Sequence, residues 1–371
     1  MRKTGSVVCI LLAAAVVLAA ARLAPSLPGN ARTYIERKYA GWNGVLHAWV
    51  YEGDGCGGSS LLGWLGKCAA AFEKANAGVY IEFEQVPAEK ILFLNSAKLK
   101  PDLIFFPPGL LSTADGLAEI NDDLLRPELR GLGGGHALPV AMGGYIWAVN
   151  PDADLQAVAL PADTVSGKYS AAAICLLQDS GETEAPIPEY ELDIGLAASA
   201  MESGILIDEN AFARFRNGEF RQVLVSQREL AKLISLRSEG KGVNWQLEGG
   251  GDYVYTDQFL YAAILKNNTA DAGARAALCS NFLHSMLADE MQKQLAGRGA
   301  FPVTEVWAHA GGSALAKLEA QLRRGRLIAP GCFSEYWNAD PGSIVRDFTR
   351  GSFSQAEALR RLMLAGMRMG M

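Results

Sequence analysis

Between Val45 and Phe106 the chain alternates strand and helix, and that order leaves few folds open to it. Val45–Tyr51 ("VLHAWVY") reads as a strand. A glycine-rich loop follows, then a helix over about 60–76 with Leu61, Leu65, Ala69 and Phe72 on one face and Gly78 as its stop. Residues 79–86 ("VYIEFEQV") alternate as a half-buried strand does. After Pro101, "DLIFF" is a short apolar strand that ends at Pro107-Pro108-Gly109. Strands separated by helices at this spacing predict an α/β domain with a largely parallel sheet.

The next informative stretch is "HALPVAMGGYIWAVNPD", His136 to Asp152. Two apolar runs, Ala137–Met142 and Tyr145–Val149, flank Gly143-Gly144. Glycines weaken a strand interior, because they cost backbone entropy and offer nothing to pack. The pair therefore breaks what would otherwise be one apolar strand, and a β-bulge within one sheet is one reading of it.

Beyond Asn150 the texture changes. Residues 179–193 form an acidic, proline-bearing loop. "FARFRNGEFRQVLVS" reads as a helix end, a turn at Asn217-Gly218 and a strand. Leu278, Phe282, Leu283, Met286 and Leu287 form a helical stripe that Met291 and Leu295 continue to Gly297, and a last helix covers about 355–367.

With 371 residues, half of them hydrophobic and 20% charged, the chain has the material for two packed domains. Its net charge of −6 argues against a nucleic-acid binder. Met1-Arg2-Lys3 precedes an uncharged, Val/Leu/Ala-rich run from Ser6 to Ala21, with Ala24-Pro25 beyond it. Residues 1–28 read as a secretory signal segment or an N-terminal membrane anchor, with the remainder outside the cytoplasm. Cys9 lies too early in this run to be a lipid-attachment site. The other five cysteines, Cys56, Cys68, Cys175, Cys279 and Cys332, show neither a disulfide framework nor a zinc spacing. Cys56 and Cys68 are close enough in sequence to pair; buried thiols are the other reading.

Catalytic motifs are few. Gly53, Gly55 and Gly58 in "GDGCGG" fit G-x-G-x-x-G after a strand, with Glu82 or Glu84 near the place of a ribose-binding acid. An extracytoplasmic setting makes a dinucleotide role a poor fit, and no nicotinamide, flavin or metal cofactor is expected. The four histidines (His47, His136, His284, His309) are dispersed, and no carboxylate pair stands out as an acid–base couple. Nothing in the motifs calls for an enzyme.

Several stretches, in this order, resemble the extracytoplasmic solute-binding proteins of bacterial ABC importers, of the carbohydrate-type, maltose-binding-protein-like class. They are "GVLHAWVYEGDG", "AAFEKANAGVYIEFEQVP", "KPDLIFFPPG", "ALPVAMGGYIWAVNPD", "FRNGEFRQVLVSQREL", "SNFLHSMLADEMQKQLAGRGAFPV" and "FTRGSFSQAEALRRL", which together span nearly everything after Gly41. The cysteine-bearing, glycine-rich first loop and the missing lipid-attachment cysteine depart from the pattern. The resemblance implies a two-lobed periplasmic-binding-protein-like fold, each lobe a largely parallel sheet flanked by helices, joined by hinge strands. It places residues 43–141 and 259–304 in lobe 1, and 142–255 and 327–371 in lobe 2, with Gly143-Gly144 at a crossover. It further implies binding of a small solute, a sugar or oligosaccharide, in the cleft, delivery to ABC permease subunits, and a monomeric state.

Sugars are read by aromatic faces and a few polar groups. The expected ligand contacts are Trp49, Tyr51, Glu52 and Asp54 after the first strand, Pro108 after the third, Gly143 and Tyr145 at the hinge, Trp245, Asp252 and Tyr253 before the second crossing, and Tyr336 and Trp337 in the last segment. A membrane-anchored sensory or scaffolding module and an extracytoplasmic α/β enzyme are the alternative readings.

Overall fold

The computed structural model describes residues 42–53, 61–94, 100–153, 158–161, 206–208, 210–248, 253–309, 311–329 and 332–333, with a few positions between 347 and 361. Strand β1 (Gly44–Tyr51) runs parallel to β2 (Val79–Val86) and to β3 (Leu103–Phe106). Helix α1 (Leu62–Ala75) connects β1 to β2, burying Trp64, Leu65, Cys68, Ala69 and Phe72, and the chain past it turns at Gly78, whose φ of 90° suits only glycine. A short α2 (Ala88–Leu92) follows β2.

The first sheet is completed by β4 (Leu138–Met142) and, from much later in the chain, β11 (Phe259–Ile264), in the order β2-β1-β3-β11-β4. Strand β11 is antiparallel to both its neighbours. It comes back without a crossover helix of its own, and a direct return can pair only antiparallel or by a long crossover. All four residues of β3 and all six of β11 are buried, as central strands with both faces covered require, and so are all five of the edge strand β4.

A second five-stranded sheet, order β7-β6-β8-β5-β9, contains β5 (Tyr145–Val149), β6 (Val158–Pro161), β7 (Leu206–Asp208), β8 (Gln222–Ser226) and β9 (Gln246–Glu248). Strand β6 is parallel to β7 and β8, whereas β5 is antiparallel to β8 and β9. Helix α3 (Ala211–Arg216) precedes β8, and α4 (Gln227–Ser238) follows it directly. The start of α4 is set by a capping box, in which Ser226 accepts from the Glu229 amide while Glu229 binds the Ser226 amide. Met142 thus ends a strand of the first sheet and Tyr145 begins one of the second, so Gly143-Gly144 is a crossover and not a bulge.

Helix α5 (Ala272–Met286) packs on α1, with Phe72 and Phe282 edge-on at 5.4 Å. Its base is tethered to the sheet by Arg275, whose Nε and Nη2 lie 2.7 and 2.5 Å from the buried Asp102 carboxylate, which also accepts from the His47 amide. The stripe read from Leu278 to Leu295 is not one helix. It breaks at Ala288, which is extended, then continues as α6 (Asp289–Lys293) and a 3-10 turn, and ends at left-handed Gly299 (φ 67°), two residues later than expected. Gln292 explains the break. Its buried amide donates to Val140 O and Met286 O and accepts from Val303 N, binding the helix end, the first sheet and the following segment together.

Helix α7 (Ala314–Arg324) packs on α4, and β12 (Arg326–Ile328) pairs in parallel with β10 (Tyr253–Tyr255). Past β12 the chain reaches the first unit: Gly109 N donates to Cys332 O, Cys332 N to Leu132 O, and Phe333 bridges to Leu111. These residues belong to a tail that the sequence reading assigns to the second lobe. Cys68 is a free, buried thiol, and burial pushes its pKa up to about 12; Cys56 lies outside the described residues. The acidic loop at 179–193 lies outside the described residues, as does most of the expected last helix.

Candidate functional site

Three connections between the two units meet at Met142. Met142 is paired in register with Phe259 of β11, and it exchanges backbone hydrogen bonds with Phe301 (3.1 and 2.7 Å). The next two residues are the glycines, and each of their four backbone polar groups has a partner. Gly143 N donates to Gln258 O (2.6 Å), and Gly143 O accepts from the Thr256 hydroxyl (2.8 Å). Gly144 N donates to the Gln227 side-chain oxygen (3.0 Å), and Gly144 O accepts from Gln227 N (3.0 Å).

Neither glycine has a positive φ, so backbone conformation does not call for them. The reason is space. A Cβ on Gly143 would fall on the Gln227 amide, and one on Gly144 would sit 2.8 Å from Cδ2 of Leu322 on α7. The dipeptide is glycine because two side chains of the second unit close on it from both sides.

Beside this crossover lies a polar set. The Tyr145 hydroxyl donates to Asp257 Oδ1 (2.7 Å) and accepts from Gln258 Nε2 (2.6 Å), which also reaches Asp257 Oδ1 (3.0 Å). Tyr145 is buried, while Asp257 and Gln258 are half-buried. A carboxylate, a primary amide and a phenol gathered between two sheets are the groups that exchange hydrogen bonds with hydroxylated solutes.

Of the twelve expected contacts, Gly143 and Tyr145 are brought together here. Tyr51 ends β1, and Glu52 and Pro108 lie just past the carboxyl ends of β1 and β3, the edge of an α/β sheet where ligands bind. The half-buried Tyr51 ring folds over Gly53, leaving Glu52 exposed, and Pro108 is buried next to the Gly109–Cys332 contact. Trp49 is buried on the face of β1 covered by Lys90 of α2, whose ammonium stands 4.4 Å from the ring centre.

Trp245 is buried beneath the Arg237 guanidinium, 3.8 Å away, and Arg237 also donates to its carbonyl. Arg237 is ten residues along α4 from Gln227, about 15 Å at the helical rise, so this tryptophan packs the far end of the second unit. For Tyr253 only the backbone, in β10, is described; Asp54, Asp252, Tyr336 and Trp337 lie outside the described residues. Among the described residues, no group of three or more His, Cys, Asp or Glu could hold a metal ion, and no helix is long and apolar enough to cross a membrane.

Sequence reasoning missed Gln227, Thr256, Asp257 and Gln258. A signal for the first was present: Ser226-x-x-Glu229 is a helix-start pattern directly after a strand, which puts position 227 at the strand-to-helix corner.

Two sheets joined by repeated crossings, with a polar set at the joint, define the two-lobed binding-protein fold. Solved structures agree. The chain superimposes on the MsmE protein of Bacillus subtilis in an open conformation with a TM-score of 0.62 at 12% identity, over 88% of this chain and 98% of that one. It is similar to the cyclic α-maltosyl-1,6-maltose binding protein of Arthrobacter globiformis (TM-score 0.58, 14% identity, 88% and 98% covered). It is likewise similar to the sugar-binding protein MalE of Xanthomonas citri (TM-score 0.58, 15% identity, 88% and 96% covered). No protein-family model matches the chain, and no curated protein matches it in sequence.

Proposed function

We propose that this protein binds a small hydroxylated solute, a sugar or oligosaccharide, between its two units and delivers it to the permease of an ABC importer outside the cytoplasm. The observation that carries this reading is the Tyr145–Asp257–Gln258 set at the joint of a fold shared with carbohydrate-binding proteins. Such a set orients hydroxyls, while the aromatic residues expected around the cleft, Trp337 foremost, supply faces for the ring. The fold's neighbours are binding proteins, and the site works by holding and releasing, with the crossovers as hinges.

The test is a thermal-shift screen of the chain lacking residues 1–28 against mono- and oligosaccharides, polyols, peptides and oxyanions. A ligand at about 100 times its Kd stabilises by about 2.7 kcal/mol. Stabilisation by a sugar, abolished or sharply reduced in Asp257→Ala, supports the reading. Stabilisation confined to peptides or oxyanions, or turnover of a sugar in place of binding, overturns it.

A further inference from the structure

The third connection between the units, which leaves the first sheet at Phe301, runs through a concentration of buried charge. Glu319 of α7 is almost fully buried, and its carboxylate accepts from the amides of Ala308 (3.0 Å) and His309 (2.9 Å) and from His309 Nδ1 (3.0 Å). One turn on, Arg323 donates to the carbonyls of Thr304, Glu305 and Val306, lies 3.4 Å from Glu319, and covers the Trp307 ring at 4.4 Å. Helix α7 therefore grips residues 304–309 along one side, and its Leu322 presses on Gly144.

From the first unit the side chain of Arg126 approaches this connection. It is 2% exposed. Its amide donates to Val303 O, its Nη2 lies 3.1 Å from Met142 Sδ, and its Nη1 is 3.3 Å from Glu128. A thioether is a weak acceptor, and among the described residues the buried Arg126 Nε has no hydrogen-bond partner, nor do Thr304 Oγ1, His309 Nε2, Gln321 Oε1 and Arg323 Nε. Burial lowers the pKa of Arg126, Glu128 draws it back up, Arg323 lowers it, and Glu305 and Glu319 raise it. Arg126 thus joins Val303, at the start of the third connection, to Met142, the residue at which the three connections meet. A guanidinium held this dry with so few partners is costly to the fold. Placed here, its cost depends on how the two units stand.

We propose that Arg126 is a positioning residue for the hinge: with α7 clamped to residues 304–309 by Glu319 and Arg323, it sets the balance between relative positions of the two units. The proposal rests on the two-unit fold and not on the identity of the solute.

The test uses amide hydrogen exchange with urea unfolding, and needs no ligand. In Arg126→Met, which keeps length and removes charge, exchange at the hinge amides of Gly143, Gly144 and Phe301 changes by about tenfold, the scale of one contact-distance coupling. The amides of β11 change no more than any shift in the urea midpoint accounts for. Combining it with Glu319→Gln gives a hinge effect different from the sum of the two. If Arg126→Met does not fold, Arg126→Lys keeps the charge, loses the fork and carries the same expectation. Hinge exchange unchanged in the variant that folds, or changed only in proportion to a fall in global stability, overturns the proposal and leaves Arg126 a packing residue. Failure of every sugar to bind would overturn the proposed function without touching this result.

Discussion

Gln227 holds Gly144 by both of its backbone groups, one through its own amide and one through its side chain, and that same side chain occupies the space where residue 143 would carry a Cβ. One residue of the second unit therefore decides what the crossover between the sheets can be made of. Gly143→Ala should destabilise the protein by about 1–3 kcal/mol, the cost of forcing an extra carbon into a packed site. It should also weaken solute binding, because the wedge acts at the joint. Adding Gln227→Ala should restore much of the loss in Gly143→Ala, measured as a non-additive double-mutant cycle in urea. Additive losses would show that the two positions do not compete for space.

Thr256 makes the parallel arrangement on the other side. Its fully buried hydroxyl donates to Gly143 O and accepts from Gln258 N at 3.0 Å. Thr256→Val preserves shape but strands both backbone groups, and should cost about 1–3 kcal/mol. Thr256→Ser, which retains the hydroxyl, should lose much less. Equal losses in the two variants would mean that the methyl group, not the hydroxyl, is what position 256 contributes.

Much of the fold was legible because it rests on local patterns. The alternation in "VYIEFEQV", the apolar stripe of α1 and the Asn217-Gly218 turn correspond to described elements. The crossover at Gly143-Gly144 was visible as a break in an apolar run, but its cause was not. That cause lies in Gln227 and Leu322, 84 and 179 residues away from 143, and no local period records a long-range steric fit. Gln292 hid the end of α5 in the same way: a buried glutamine binding three segments looks, in sequence, like one more polar position on a helix. For the site, Tyr145 stood out as an aromatic beside the glycines, whereas Asp257 and Gln258 drew no notice as ordinary polar residues between two strands.

Glu319 links stability to acid. Burial by itself would raise its pKa, but the hydrogen bonds from the His309 ring and from the amides of Ala308 and His309 outweigh burial and hold it below the usual glutamate value of 4.5. A carboxyl depressed in the folded state stabilises above its ordinary value and loses that contribution as pH falls through its folded one. Glu319→Gln should cost about 1.5–3 kcal/mol at neutral pH, as expected for hydrogen bonds to a charged group. It should also show a shallower fall in stability below pH 4.5 than wild type. Parallel pH profiles for the two proteins would assign the acid sensitivity to other carboxylates.

The tryptophans separate packing from recognition. Trp245 is covered by Arg237 at the far end of α4, so Trp245→Ala should cost about 3–5 kcal/mol, as for other large buried aromatics, with sugar affinity little changed in the protein that remains folded. Trp337 follows closely on Cys332 and Phe333, which lie against the loops after β3 and before β4. Tyr51 and Pro108 lie on that same carboxyl edge of the first sheet. Two adjacent aromatics, such as Tyr336 and Trp337, point in different directions on a helix or a strand, which is why the sequence reading offers one of them to a ligand. Stacking of a sugar ring on Trp337 should contribute about 1–3 kcal/mol, by analogy with base–aromatic stacking. Trp337→Ala should then weaken sugar binding about ten- to a hundredfold and leave the Tm of the unliganded protein nearly unchanged. The opposite pattern, lost stability in Trp337→Ala and lost affinity in Trp245→Ala, would place the recognition surface at the far end of the second unit and not at the hinge.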